Sequence, residues 1–424
     1  MFVRRFASLF VVGLVFATML LVRPAAAATP HLVPDHYIVV FKASVADASA
    51  KAHGLAAQHG LTIQHTYSYA LKGFAAMIPA ARLAQLRADP AVAYVMQDQV
   101  VSLGQPLTAK AKPGGGQPPQ SLPTGIDRID GELSSQVSGN GSGSVTNVAV
   151  AVIDTGIDGS HPDLNVVGGF NCSTGSTSNW GDGNGHGTHV SGTIGAKDNT
   201  IGVVGVAPGV PLYAVRVLNN SGSGSFADII CGIDWVTQNA SLVSPPIVAA
   251  NMSLGGSGSD STCNNDAFHQ AICNSVAAGI TYAVAAGNES DNAANHVPAA
   301  FDEVITVSAL ADFNGQPGGG AASTCRADVD DTFADFSNFG ADVDIIAPGV
   351  CILSTWKGSS YNTISGTSMA TPHVTGAAAL YKSTNPSASP AQVKTALQNA
   401  GTTNWFTNTD PDSTHEKLLN VDSF

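Results

Sequence analysis

The chain has 424 residues, of which 44% are hydrophobic and 12% charged, against about 25% charged in an average soluble protein. This composition excludes a mainly disordered protein, and the length allows two or three domains. Residues 1–118 hold 10 Lys and Arg and 4 Asp and Glu (+6), whereas residues 119–424 hold 8 and 27 (−19). We therefore expect the two parts to attract each other, and we expect no nucleic-acid partner.

The N-terminus predicts an export signal over residues 1–28. Arg4 and Arg5 precede an apolar run at 6–22, and small residues follow at 25–28. The alternative is a retained membrane anchor, because about 17 apolar residues is near the lower limit for a spanning helix. No later segment is long and apolar enough to span. We therefore expect a secreted, extracellular protein without stable membrane association.

Residues 29–103 predict a small α+β module, and residues 104–119 predict an exposed linker. The module's pattern fits a βαββαβ sandwich of the ferredoxin-like type. The linker contains GGG and PP, which are typical of open loops. Strands are predicted at 37–41, 73–78 and 93–95, and helices at 45–59 and 80–88.

Residues 120–424 form the main predicted domain. It contains five short runs that are apolar without alternation, which is typical of parallel strands covered by helices on both faces. We therefore predict a three-layer α/β domain with a mostly parallel sheet, whose ligands meet the loops at the carboxyl ends of the strands. The runs are Val148–Ile153, Leu212–Leu218, Ile247–Met252, Thr281–Ala286 and Val304–Val307.

Three polar residues stand in glycine-rich or serine-rich segments of this domain. Asp154 ends the first run in VAVIDTGID, His186 lies in NGHGTHVSGT, and Ser368 lies in SGTSMATPHVTGAAAL. Singly, each has an ordinary structural explanation as a turn, loop or helix-capping residue. Together they supply an acid, a base and a hydroxyl for nucleophilic catalysis, in an order known for acyl-transfer triads.

These segments resemble the subtilisin-like serine proteases, or subtilases. The resemblance covers about residues 120–424 for the protease domain and 35–103 for an inhibitory propeptide. It implies a serine endopeptidase that is made as a self-processing zymogen and cuts polypeptides through an acyl-enzyme. The alternative is an inactive peptide-binding pseudoprotease of the same fold.

The resemblance also implies a role for each site residue. Ser368 would attack the scissile carbonyl after passing its proton to His186, and Asp154 would orient the imidazole. Asn288, in AAGNE, matches the family's side-chain donor to the oxyanion, together with the backbone N–H of Ser368. No catalytic cofactor is expected.

Two further stretches resemble the family's peptide-binding edges, which hold a substrate as an added strand. Small pocket walls favour a large apolar side chain before the cut, the P1 residue. His296 stands where the family commonly has glycine, so this preference stays open. The edges are Gly222, Ser223, Gly224 and Ser253, Leu254, Gly255; the pocket adds Ala285, Ala286 and Gly287, with Glu289 at its rim.

A structural calcium site is also implied by the resemblance, and an all-oxygen ligand set suits this hard cation. The alternative is a tight loop held by hydrogen bonds alone. Separately, Asp328, Asp330 and Asp331 could bind another ion, but we expect them to be solvated surface. The implied calcium ligands are Gln120, Asp163, the carbonyl of Lys197, Asn199, and the carbonyls of Ile201 and Val203.

Two other function classes are disfavoured. GSGSFA at 222–227 fits a relaxed dinucleotide fingerprint, but no acidic residue follows about 20 residues later to bind a ribose. The HGTH segment places His189 near His186, but it lacks the glutamate of a zinc protease motif. We expect His189 to be structural.

All six cysteines lie in the acidic part, and behind an export signal they predict disulfides. Many pairings are possible, but proximity in sequence favours two local bonds and leaves one pair. The local bonds are Cys263 with Cys273 and Cys325 with Cys351, which leave Cys172 with Cys231.

We expect a monomer. Residues 97–103 or the following linker are expected to occupy the peptide-binding groove of the same chain as a product-like inhibitor.

Overall fold

The computed structural model describes residues 30–103, 107–108 and 117–424. The predicted export signal and most of the predicted linker lie outside these residues. No helix within the described ranges is long and apolar enough to cross a membrane.

The N-terminal module is a four-stranded antiparallel sheet with two helices on one face. The strand order is β2-β3-β1-β4. Along β1, Val39 and Phe41 pack against the module's own helices, whereas Ile38 and Val40 join the core of the large domain. The elements are β1 (Leu32–Phe41), α1 (Ala48–His59), β2 (Ile63–Tyr67), β3 (Gly73–Met77), α2 (Ala80–Arg87) and β4 (Val92–Ser102).

The large domain alternates strands and helices. Its first half comprises β5 (Leu107–Thr108), α3 (Thr124–Arg128), β6 (Ala149–Asp154), β7 (Val166–Asn171), α4 (His186–Gly195), β8 (Leu212–Arg216), β9 (Ser223–Ser225), α5 (Phe226–Asn239), β10 (Ile247–Met252), β11 (Gly256–Ser257) and α6 (Ala267–Ala277). Its second half comprises β12 (Thr281–Ala285), β13 (His296–Val297), β14 (Ile305–Ala311), β15 (Thr332–Phe333), β16 (Ile345–Pro348), β17 (Ile352–Trp356), β18 (Ser360–Ser365), α7 (Thr367–Thr384) and α8 (Pro390–Ala400). Short 3-10 turns lie at Gly131–Leu133, Ala293–Asn295 and Thr407–Thr409.

The predicted three-layer architecture with a mostly parallel sheet is confirmed. Strands β7, β8, β6, β10, β12, β14 and β16 are parallel neighbours in that order, and β15 pairs with β14 in the antiparallel sense. The five predicted apolar runs are β6, β8, β10, β12 and β14. Helices α4, α7 and α8 cover one face, and α5 and α6 cover the other. The N-terminal module packs on the α5 and α6 side, so it covers the large domain rather than extending away from it.

Three disulfides close loops of the large domain. They are the two pairs that sequence proximity favours and the pair that remains. The bond between Cys263 and Cys273 lies beside His269 and Glu303. Because these sulfurs are bonded to each other, they are not available as metal ligands. The bonds join Cys172 to Cys231, Cys263 to Cys273 and Cys325 to Cys351.

Candidate active site

The end of β6 and the start of α4 bring an acid and a base together. The Nδ1 atom of His186 lies 2.8 and 2.9 Å from the two carboxylate oxygens of Asp154, and both side chains are buried. Burial by itself lowers the pKa of His186, but the charge and hydrogen bond of Asp154 outweigh it, and the pKa is raised. The carboxylate therefore fixes the tautomer in which Nδ1 carries the proton and Nε2 is the base.

Ser368 is the second residue of α7, and it contacts the loop that follows β10. Its Oγ donates to the backbone carbonyl of Ser253 at 3.2 Å, and the Ser253 Oγ donates back to the Ser368 carbonyl at 2.9 Å. Among the described contacts, the hydroxyl makes no hydrogen bond with His186.

Two hydrogen-bond donors converge next to Ser368. The Oδ1 atom of Asn288 accepts the N–H of Thr367 at 2.8 Å and its hydroxyl at 3.0 Å, which turns Nδ2 the other way. An atom at the Cβ position of Gly366 would lie 3.6 Å from Asn288 Oδ1, 3.7 Å from Ser368 N and 3.8 Å from Asn288 Nδ2. The Asn288 amide group and the N–H of Ser368 thus lie near one point beside Gly366, a proximity that two oxyanion donors require.

Asp182 is a site residue that the sequence analysis missed. Its carboxylate accepts the N–H groups of Gly185 and Thr188 and the hydroxyls of Thr155 and Thr188, at 2.6–2.9 Å. It thereby anchors the start of α4, where His186 lies, and its charge also raises the pKa of His186. Its position within GDGNGH was the available signal, but an exposed glycine-rich turn gives the same pattern.

A cavity of about 300 Å³ adjoins Ser368. Its walls include every pocket residue expected from the sequence, and also His296. The His296 ring lies 3.3 Å from Asp291 and 3.7 Å from Glu289, so this end of the cavity is polar. The lining residues from the large domain are Ser253, Leu254, Gly255, Gly256, Ser257, Ala285, Ala286, Gly287, Asn288, Glu289, His296, Val297, Ala299, Thr367 and Ser368.

The N-terminal module adds its last strand to one edge of this cavity. Strand β4 pairs antiparallel with β9, with Val101 opposite Gly224, and the N–H of Leu103 donates to the carbonyl of Gly222 at 2.8 Å. The Val101 side chain is 1% exposed and packs beside Phe226, whereas Val100 is 42% exposed. The module thus occupies the edge predicted to hold substrate.

The second predicted edge lines the cavity but pairs differently. Within the described residues, Ser253–Gly255 makes no backbone hydrogen bond with residues 97–103; instead, the Gln99 amide donates to the carbonyl of Ser257 at 2.7 Å. Beyond the cavity, β5 pairs with β18, with Leu107 opposite Ser365. The described parts of the chain therefore lie on both sides of Ser368.

Acidic side chains fix the module on α5. Asp98 accepts the N–H of Ala227 in the first turn of this helix at 3.0 Å, where a negative charge is favoured. Asp234 accepts N–H groups of residues 68–71, and Asp228 contacts His65 at 2.9 Å. No Lys or Arg of the described module forms an ion pair with the large domain. The charge difference between the two parts thus acts at most over longer distances.

Comparison with protein families gives a match over both parts of this structure. The "Subtilase family" model matches residues 145–416, and the "Peptidase inhibitor I9" model matches residues 36–104. The chain belongs to the subtilase family. This subtilase is a serine endopeptidase with an inhibitory N-terminal propeptide domain.

Individual relatives cover most of the subtilase chain. Subtilisin NAT of Bacillus subtilis subsp. natto is 37% identical over 398 residues, which is 93% of this chain and 92% of that protein. An "Extracellular serine proteinase" of Thermus sp. (strain Rt41A) is 39% identical, over 87% and 85% of the two chains. The solved structure of a cold adapted subtilisin-like serine proteinase matches with a TM-score of 0.55 at 35% identity, covering 70% of this chain and 97% of that one.

The residues implied as calcium ligands lie together in the subtilase domain. Asp163 accepts hydrogen bonds from Asn199 Nδ2 and from the N–H of Val203, and Gln120 Oε1 accepts the N–H of Asn199. In the described contacts, no hydrogen bond reaches the carbonyls of Lys197, Ile201 or Val203. These oxygens are the hard donors that calcium prefers, and in the structure the amide oxygens of Gln120 and Asn199 accept the N–H groups of Asn199 and Ile201.

The expectation that Asp330 and Asp331 are solvated surface was wrong. They are 1% and 0% exposed. Asp331 pairs with Arg128 at 2.7 Å and accepts the N–H groups of residues 318 and 319, so its charge is compensated inside the protein. Asp328 pairs with Arg326 at 2.6 Å.

His189 lies inside the fold of the subtilase domain. It is fully buried, and its Nε2 lies 3.0 Å from the carbonyl of Ile352. Burial lowers its pKa to about 3, so the ring is neutral at physiological pH. A buried neutral donor to backbone carbonyls is what the expected structural role requires.

Proposed function

We propose that this subtilase is a secreted, self-processing endopeptidase that uses Asp154, His186 and Ser368 as its catalytic triad and Asn288 as an oxyanion donor. The observation that carries the proposal is the course of the chain: β4 lies along the edge formed by β9, and β5 resumes beside Ser365, three residues before Ser368. A polypeptide that is bound on both sides of a nucleophile has its peptide bonds positioned for attack, as those of a substrate are.

In the proposed reaction, the Ser368 side chain rotates away from the Ser253 carbonyl, and its proton passes to His186 Nε2 as Oγ attacks the scissile carbonyl. The Asp154 carboxylate stabilises the resulting imidazolium through Nδ1. The negative charge on the carbonyl oxygen is met by Asn288 Nδ2 and the N–H of Ser368. His186 then protonates the leaving amine, an acyl-enzyme forms, and water releases it by the reverse proton transfers.

The same contacts support a position for the cut that releases the propeptide. Leu103 is bonded to Gly222, and Leu107 is paired beside Ser365. The cut that separates the propeptide therefore falls between Leu103 and Leu107, inside the predicted linker. On this basis we propose residues 29–103 as the propeptide, 104–119 as the linker and 120–424 as the catalytic domain, with residues 1–28 as the export signal.

Broad specificity follows from the way substrate is held. Main-chain pairing with β9 reads no side chain, so selection falls to the pockets. The pocket occupied by Val101 is apolar, because Phe226 lies beside it and Leu254 belongs to the same core cluster. The P1 pocket has small walls that suit an apolar residue, and His296 adds a polar group at its end. We propose an apolar P1 preference, broadened by His296.

We further propose that a structural calcium ion binds Gln120, Asp163, Asn199 and the carbonyls of Lys197, Ile201 and Val203. The ion would link the loop before β8 to the start of the catalytic domain and would take no part in the chemistry. Secretion is supported by the arginine-led apolar N-terminus and by three disulfides, which persist in oxidising compartments.

A peptide-library digestion with mass spectrometry tests activity and specificity together. The mature enzyme is expected to cut after apolar P1 residues, and a serine-directed covalent inhibitor is expected to abolish every cut. Cleavage that persists after stoichiometric modification of Ser368 would contradict the proposed nucleophile.

A further inference from the structure

Two carboxylates in the C-terminal segment are buried, and three of their four oxygens lack a hydrogen-bond donor among the described residues, whereas Asp410 Oδ1 accepts the N–H of Asp412 at 3.3 Å. The Asp410 side chain is 0% exposed, and Glu416 is 5% exposed, although Pro411 and Ser413 between them lie at the surface. Within the described structure, both Glu416 oxygens and Asp410 Oδ2 have no hydrogen-bond partner. Buried carboxylates without donors are strongly unfavourable, so something must offset their charge.

The protein groups around the pair do not supply that offset. The imidazole of His415 lies 3.4 Å from Asp410 Oδ2, but its ring is 40% exposed and it makes no contact with Glu416 among the described hydrogen bonds and ion pairs. The Trp405 indole N–H donates to the backbone carbonyl of Glu416, at 3.2 Å, and not to its carboxylate. Apart from the part-exposed His415 beside Asp410, no positively charged side chain in the described structure forms an ion pair with these two carboxylates.

A proton and a metal ion are the two ways to stabilise such a pair. The two carboxyl groups are buried and three of their oxygens are unpartnered, so ionising both groups places like charges together without compensation. One shared proton joins only two of the three unpartnered oxygens and leaves the third buried without a donor. A cation with the radius and charge of Ca²⁺ contacts several carboxylate oxygens at once, and so compensates the negative charge on all three unpartnered oxygens.

The sequence of the segment favours the cation. Asp410, Asp412, Thr414 and Glu416 place an oxygen-bearing side chain at every second position. Loops that wrap calcium have this alternating spacing of oxygen ligands, and the exposed residues between them leave room for water in the remaining coordination positions.

We propose that Asp410 and Glu416 are ligands of a second calcium ion, formed by different elements from the site around Asp163. The segment that carries them lies between Trp405 and Leu418, which belong to a buried apolar cluster with Phe333. A cation bound by Asp410 and Glu416 would join the two ends of this segment. It would stabilise the folded state by an amount that rises with the free calcium concentration.

Calcium titration of the chelator-treated, inhibitor-blocked enzyme tests this proposal by calorimetry. The double variant Asp410→Asn/Glu416→Gln keeps the shapes of both side chains and is expected to bind one ion fewer per chain than the parent enzyme. Asp422→Asn, an exposed carboxylate in the same segment, is the matched control and is expected to bind as many ions as the parent. Equal stoichiometry in the double variant and the parent enzyme would overturn the proposal.

Terbium luminescence locates the ion independently of its count. Terbium bound between Asp410 and Glu416 lies near Trp405, so excitation of tryptophan is expected to sensitise its emission, and both Trp405→Phe and the double variant are expected to abolish most of this signal. Asp163→Asn is expected to retain it. If the double variant is misfolded by near-ultraviolet circular dichroism, the Trp405→Phe result decides: undiminished emission in that variant contradicts the proposed location.

The thermal shift separates a metal site from a proton-sharing pair. Without metal, the double variant is expected to melt at or above the melting temperature of the parent, because neutral amides remove the repulsion between the two carboxylates. With calcium, only the parent is expected to show the additional rise in melting temperature that binding at this site causes. A double variant that melts lower without metal, and still shows the full calcium-dependent increase, is the result that a proton-sharing pair predicts and would exclude the ion.

Discussion

Asn288 accepts the backbone N–H of Thr367 through Oδ1 at 2.8 Å, and this bond decides which way its amide group points. With Oδ1 occupied by two donors of Thr367, Nδ2 is the amide atom left for the proposed oxyanion contact. Thr367, which precedes the proposed nucleophile Ser368 in α7, therefore orients the proposed oxyanion donor Asn288.

The first prediction concerns this donor. Asn288→Ala is expected to lower kcat by about 10²–10³ with little change in KM, because the interaction strengthens only as the oxyanion forms. Steady-state kinetics on a peptide substrate measures both constants. A rise in KM with kcat unchanged would indicate a role in binding instead.

Thr367 should act through Asn288. Thr367→Val removes a hydroxyl that donates to Asn288 at 3.0 Å, so kcat is expected to fall by about tenfold, the size of one neutral hydrogen bond. Thr367→Ser keeps the hydroxyl and is expected to restore most of the rate. Equal losses in both variants would show that packing, rather than orientation of Asn288, is responsible.

The pH dependence follows from the raised pKa of His186. The imidazolium cannot accept the Ser368 proton, so kcat/KM is expected to rise with pH through this pKa and to reach a plateau above it. Asp182→Asn removes one of the charges that raise the pKa of His186, and should move the acid limb to lower pH as well as lowering the plateau. Asp422→Asn, a distant carboxylate, should leave the limb in place. A limb that stays fixed in Asp182→Asn would contradict this electrostatic role.

Two neighbouring valines of the propeptide provide a matched pair. Val101→Asp places a carboxylate in the apolar pocket beside Phe226, so self-processing is expected to slow by at least about tenfold, given the cost of burying a charge. Val100→Asp, at the exposed neighbouring position, should process at nearly the parent rate. Gel analysis of maturation over time gives both rates, and equal rates would show that β4 does not occupy the groove during processing.

The P1 pocket allows a test of His296. Its replacement by alanine removes the ring that contacts Asp291 and enlarges the end of the cavity. The ratio of kcat/KM for P1 phenylalanine over P1 alanine is expected to rise by about tenfold, in line with the gain from a larger apolar cavity. An unchanged ratio would place the specificity determinant elsewhere in the pocket.

Much of the fold could be predicted from sequence because parallel strands that are buried on both faces must be apolar throughout. That rule identified β6, β8, β10, β12 and β14. It missed β7, an edge strand of the large sheet whose VVGGFN sequence contains two glycines, and β18, which belongs to a separate three-stranded sheet and whose SYNTIS sequence is largely polar. Neither strand is buried on both faces, so neither needs an apolar run. β2, in the propeptide, was missed for the same reason: IQHTY has exposed positions in alternation.

Asp154, His186, Ser368 and Asn288 could be proposed from sequence because each lies in a long, specific motif. Asp182 and the Asp410 and Glu416 pair could not, because their importance depends on burial. An aspartate in GDGNGH and acidic residues in DPDSTHE are typical of solvated loops until the structure places their carboxylates against N–H groups or against each other. Burial of a charge is a property of the whole fold, which a local pattern does not encode.

The central claim is that the Ser368 hydroxyl cuts the chain that lies across it. Intact-mass spectrometry of the purified full-length protein tests this claim directly in Ser368→Ala and in Ser308→Ala, which removes a buried serine hydroxyl without a hydrogen-bond partner in the described structure. The Ser308 variant is expected to release a fragment that ends between residues 103 and 107, whereas the Ser368 variant is expected to retain the propeptide as one uncut chain. A purified Ser368→Ala protein that still separated its propeptide at that position would contradict the account.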